Sequence, residues 1–181
     1  MNQQLIAQLK AEASRANTDF IANWAGTDAE RIADLVDIAL NADGQTAARA
    51  LWALEKVAAA HHNILLPHIP AIVSELPRFT FSGMRRIACK ILMLTDVSYD
   101  FDGPIIDFCF RMLETPDEPI GVKANCMSLI AKRLNEYPEL ESELNLVVNE
   151  VVKATESKGF AVRVRKAMAG QFKRERFTLN Q

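Results

Sequence analysis

One apolar pattern returns four times along the chain at an interval of about 38 residues, and this repetition restricts the fold more than any other feature. The quartet Ile32, Leu35, Val36 and Ala39 recurs as Ile69, Ile72, Val73 and Leu76, then as Ile105, Phe108, Cys109 and Met112, then as Leu144, Val147, Val148 and Val151. Each set has the i, i+3, i+4, i+7 spacing that lines one face of an α-helix. The sets begin at Ile32, Ile69, Ile105 and Leu144, so the interval drifts only slightly from one repeat to the next. Between them runs a second series, found by taking the same average step from Thr46, Ala50, Ala53 and Leu54. The step lands on Met84, Ala88, Ile91 and Leu92, on Val122, Cys126, Leu129 and Ile130, and on Phe160, Val164, Ala167 and Met168. Only Thr46 is polar. Helices alternating in this way form hairpins, and each hairpin buries its apolar face against the next.

The punctuation supports the same division. Pro67, Pro104, Pro119 and Pro138 fall where helices should begin, and a first turn tolerates proline because its missing N–H has no intrahelical partner there. Pro70 lies one turn inside the second hairpin and should delay that helix. Thr27 and Asp28 are the candidate N-caps of the first repeat, with Glu30 and Asp34 near the positive end of its helix. Gly44, Gly83, Gly121 and Gly159 mark the start of each second helix, where a turn needing an unrestricted backbone is expected. The predicted helices are 2–14, 18–25, 28–41, 44–61, 67–77, 81–96, 104–115, 119–136, 138–155 and 159–176. No strand is predicted. The fold class is all-α, with about four helical hairpins after a two-helix N-terminal cap, whose closing residue is Trp24. The expected organisation is a single domain, 1–181, with the cap at 1–26 and repeats at about 28–61, 64–96, 103–136 and 138–176.

Helical pairs of this length, with second helices reading Val122-Lys123-Ala124-Asn125-Cys126 and Ala161-Val162-Arg163-Val164-Arg165, resemble HEAT or armadillo-like repeats. In those repeats a basic residue commonly follows a valine early in the second helix. The resemblance covers residues 28–176 and implies an α-α superhelix, or α-solenoid, whose second helices line a concave face. The first repeat, with Ala47, Ala48 and Arg49 in this region, departs from the pattern. The aspartate expected in the turn before the second helix stands only at Asp43 and Asp117.

Charge separates between the two helix series. The four first helices sum to −3, −1, −1 and −3, and the four second helices to +1, +2, +2 and +5, inside a chain whose net charge is −2. With the resemblance, this implies a positive inner face and a negative outer one. The residues expected to point away from the core on the inner face are Trp52, Lys56, Arg86, Lys90, Asn125, Ser128, Lys132, Arg163 and Lys166, with no acidic residue among them. One aromatic among cations suits an acidic peptide or a stacked base. The basic segment from Lys153 to Arg176 reads as the polar cap of the last repeat.

The residues argue against the common enzymes and cofactors. No phosphate-binding loop, dinucleotide fingerprint, nucleophile elbow or zinc-protease helix motif occurs. Cys89, Cys109 and Cys126, at spacings of 20 and 17, fit no zinc or redox signature and read as reduced core thiols. His61 and His62 are adjacent, so a helix points them about 100° apart and they do not form an ion-binding pair. The carboxylates Asp96, Asp100 and Asp102 lack the ordered ligand series of a calcium loop and read as a polar turn. DNA alkylation-repair glycosylases built of HEAT-like repeats resemble this architecture, but their catalytic residues cannot be placed here. Fumarase-type lyases are much longer, and their flexible-loop motif is absent. No catalytic residue, cofactor or metal is expected. A membrane span and a secretory leader are not expected either, which suggests a cytoplasmic protein. The expected partner is a protein or acidic peptide, with nucleic acid the alternative.

Overall fold

Ten α-helices and no strand are formed by residues 2–169, the part of the chain that the computed structural model describes. They are α1 (Gln3–Ala11), α2 (Arg15–Ala25), α3 (Ala29–Asn41), α4 (Gly44–Ala60), α5 (Ile69–Glu75), α6 (Ser82–Leu94), α7 (Asp102–Glu114), α8 (Ile120–Ala131), α9 (Leu140–Thr155) and α10 (Lys158–Met168). The predicted extension of the last helix to 176, and the Lys173–Arg176 part of the basic segment, lie outside the described residues.

Boundaries follow the caps. The Asp28 carboxylate accepts the N–H groups of Glu30 and Arg31 at 3.0 and 3.1 Å and starts α3, as anticipated. The first two helices are divided differently from the prediction. Ser14 Oγ accepts the Asn17 N–H at 3.1 Å, so α2 begins at Arg15 rather than 18. Buried Asn17 donates to the carbonyls of Gln8 and Glu12, which closes α1 at Ala11. Pro70 sits in the first turn of α5, which is shortened between single 3-10 turns containing Pro67 and Pro77. The eighth helix stops at Ala131, not 136, because Arg133 and Leu134 donate to carbonyls only three residues back and tighten the chain.

The glycine reading needs correction. Among the described glycines only Gly26 has positive φ, at 49°. Gly44, Gly83, Gly121 and Gly159 lie within the first two residues of helices and need no unusual backbone. A Cβ on Gly44 would displace the exposed Phe81 ring that packs there, whereas open space surrounds the same position on Gly83 and Gly159.

The chain divides into two compact units, Met1–Ile105 and Ile106–Gln181, with the boundary in the first turn of α7. In the first unit α4 is the hub, packed on α3, α2, α6 and α1. Its apolar stripe is flanked by small residues, Ala47, Ala50 and Ala53, which let neighbouring helices approach closely. Within this unit α2, α4 and α6 pack side by side as one layer. In the second unit α8 packs against α9 and α10. The repeat positions identified above are buried except for Met112, Val147 and Met168, which are half-buried. Thr46, the polar exception, is buried as well, and Cys89, Cys109 and Cys126 are buried free thiols.

At the N-cap of α4 the Asp43 carboxylate accepts from Thr46 N–H at 3.0 Å and lies 3.1 Å from Lys10 Nζ. The Thr46 hydrogen bonds, with help from Lys10, lower its pKa from 3.8 to about 2. A carboxylate depressed in the folded state stabilises above its unfolded pKa and loses that contribution as pH falls through the folded one. Asp43→Asn is therefore expected to lower the melting temperature near neutral pH, with the deficit shrinking between about pH 4 and pH 2. Thermal melts across that range check it. A deficit independent of pH would show that the charge contributes nothing.

Candidate functional site

The anticipated inner-face residues fall in two groups, one per unit. In the first unit, Trp52 and Lys56 on α4 are half-buried, and Arg86 and Lys90 on α6 are exposed. Two of these cations have carboxylate partners on the preceding helix of the layer. Lys56 Nζ lies 3.8 Å from Asp19 on α2, and Lys90 pairs with Glu55 on α4. Glu55 is only 5% exposed, and its presence overturns the expectation of an acid-free face. It sits beside the core positions Leu51 and Leu54, so Lys90 reaches across from α6 to compensate a buried charge. Asp19, Asn23, Lys56 and His61 line a polar groove of about 360 Å³ between α2 and α4. The other histidine of the pair points elsewhere: His62 Nε2 lies 2.9 Å from Asp96, which also accepts from Asn63 Nδ2 at 3.0 Å. The Asp96–Asp102 segment is thus tied to the previous inter-hairpin loop through its first carboxylate.

In the second unit the pattern changes. Asn125 and Ser128 do not face solvent as expected: they are 8% and 1% exposed, because α8 is apolar almost all round and α10 covers it. Both polar groups are used by Arg163, whose Nε donates to Ser128 Oγ at 2.9 Å and whose Nη2 donates to Asn125 Oδ1 at 3.2 Å. Both of these acceptors are neutral, and burial of the guanidinium lowers its pKa. Lys132 is half-buried just past the end of α8, and Lys166 is exposed one turn after Arg163. Neither α8 nor α10 contains an aspartate or glutamate.

Other cations that the repeat pattern drew attention to are structural. Lys123 is 4% exposed and donates from Nζ to the Leu113 carbonyl at 2.9 Å, near the end of α7. Its pKa is lowered by burial, against the opposing pull of Glu118 and Asp117. Arg85, at the equivalent position one repeat earlier, does the same in its own hairpin, donating to the carbonyls of Phe79 and Thr80 at 2.8 and 2.9 Å. Arg49 donates to the Leu9 carbonyl at the end of α1 at 2.7 Å. Each ties down carbonyl groups that a chain ending or turning leaves without partners. The basic residue after Val122 signalled this role, but its position alone did not say that the side chain turns inward. Near the N-terminus Trp24 is half-buried under the Arg31 guanidinium, 5.1 Å from the ring centroid.

Comparison with protein families finds that a HEAT repeat domain model matches residues 5–170. The chain belongs to the HEAT repeat domain family. No match was found among curated proteins or among solved structures. The HEAT match begins inside α1, so it includes the two helices read from sequence as a cap. The packing of α2 on α4, as a further member of the second-helix layer, fits that extent. HEAT repeats commonly mediate protein interactions, which makes this chain a helical-repeat interaction module. Among the described residues no helix is long and apolar enough to cross a membrane.

Proposed function

We propose that this HEAT repeat chain binds an acidic segment of a protein partner through its second helices, chiefly α8 and α10. The supporting observation is that these two helices carry no carboxylate, whereas the equivalent layer of the first unit answers Lys56 and Lys90 with Asp19 and Glu55. Opposite charges within one layer cancel much of each other's field, while helices that carry basic residues and no acidic ones contribute a net positive field. Arg163, oriented by Ser128 and Asn125, presents a planar fork suited to a carboxylate. Lys166, exposed one turn after Arg163, adds a second cation on α10.

The test is a fluorescence anisotropy titration with a labelled Asp/Glu-rich peptide, with duplex DNA and with single-stranded DNA, each at low and moderate salt. Arg163→Glu with Lys166→Glu is expected to weaken peptide binding by roughly tenfold or more, since both charges are reversed. Lys56→Glu should change it far less. Steeply salt-dependent binding to unrelated DNA sequences, lost in the double variant, would replace this reading with nucleic-acid binding. Absence of binding to either probe at low salt would refute both.

A further inference from the structure

The second unit also carries a groove bordered by acidic segments, and neither Arg163 nor Lys166 lines it. Its walls are the end of α7 and its following turn, with Leu113, Glu114 and Pro116, and α9, with Val147, Glu150 and Val151. The volume is about 460 Å³. Most of that lining is aliphatic. Lys123 reaches it from α8, but its ammonium is bonded to the Leu113 carbonyl and faces the acidic Glu118 and Asp117. On the rim Glu114 is exposed, and Glu150 is exposed with Lys153 Nζ at 2.9 Å.

Two further observations point outward. Leu146, on the same turn of α9 as Val147, is 69% exposed, the most exposed large hydrophobic side chain among the described residues. The segments bordering the groove, 106–119 and 138–156, contain nine carboxylates against two basic residues, a net −7. An apolar cleft with an exposed leucine beside it, inside a strongly negative field, is complementary to apolar side chains flanked by cations.

We propose that this groove docks a partner segment in which leucine or phenylalanine side chains are interleaved with lysine and arginine. The apolar side chains enter between the α7 turn and α9, and the cations meet Glu114 within the negative field of the bordering segments. This surface is separate from the one assigned to acidic segments, so one chain holds two partners of opposite charge.

Three short labelled peptides test it by anisotropy: one of leucines with lysine and arginine, one with glutamate in place of every cation, and one with serine in place of every leucine. The first is expected to bind in the micromolar range and the other two at least roughly tenfold more weakly. Ala154 also lines the groove and is exposed, so Ala154→Trp fills it, and this substitution and Leu146→Ser are each expected to weaken the first peptide by roughly tenfold. Lys166→Glu, outside the groove, should leave it unchanged. Circular dichroism melts confirm that the variants fold, and the two substitutions fail independently. Equal binding of the glutamate or serine peptide overturns the proposal. So does wild-type affinity in both groove variants, an equal loss in Lys166→Glu, or no binding of the first peptide. Concentration-dependent self-association that is lost in Leu146→Ser would assign the groove to a second copy of the chain, which also overturns it.

Discussion

Lys123→Met is expected to lower the unfolding free energy by about 3 kcal/mol, read from the urea midpoint at constant slope. The side chain is nearly inaccessible, and its ammonium supplies the hydrogen bond to the Leu113 carbonyl. It also supplies the positive charge facing Glu118, itself buried. Methionine fills much of the same volume, so packing changes little. The cost comes from a charged hydrogen bond and a buried carboxylate deprived of its countercharge. Adding Glu118→Gln to Lys123→Met should recover part of the loss, because the second substitution removes the buried carboxylate that had faced the ammonium. A loss under about 1 kcal/mol would mean that Lys123 behaves as a surface cation and that the turn between α7 and α8 is held by other contacts.

The second large effect is expected at the centre of the first unit. Leu54→Ala should cost about 3–4 kcal/mol, because it removes a fully buried side chain from α4, the helix on which α2, α3 and α6 all pack. A helix enclosed on several sides cannot move to fill the space without opening another contact, so the cavity persists. Val162→Ala provides the contrast. Val162 lies on α10 and is exposed, so that substitution should stay within about 0.5 kcal/mol. Chemical denaturation of both variants checks the pair. Near-equal losses would mean that α4 is not the packing hub.

The charged residues show how far a sequence pattern carries. The repeat quartets located the helices and their buried faces with few exceptions, since burial of one helical stripe leaves a periodic record in the chain itself. Asp28 was legible as a cap because capping is local. Ser14 is equally local, but the polar stretch around it reads as the continuation of a helix. The nine surface candidates were less secure. Lys166 is exposed and Lys132 half-buried, while Asn125 and Ser128 turned out to lie beneath Arg163. A helical wheel treats each helix as having one neighbour, whereas α8 is enclosed on several sides.

What the sequence by itself determined is the all-α class, the helical hairpins repeating at a nearly constant interval, the HEAT resemblance and the segregation of acids and bases between alternate helices. All of these are carried by spacing along a one-dimensional chain. Only the tertiary structure decided which partner each cation meets. Lys90 meets Glu55 and Lys56 meets Asp19 in the first unit, and Arg163 meets Ser128 in the second, each pair drawn from neighbouring helices of one unit and far apart in the chain. Such pairs depend on how far each helix is rotated about its axis when hairpins pack. A modest rotation turns a side chain from solvent toward a neighbour, and no local pattern records that angle.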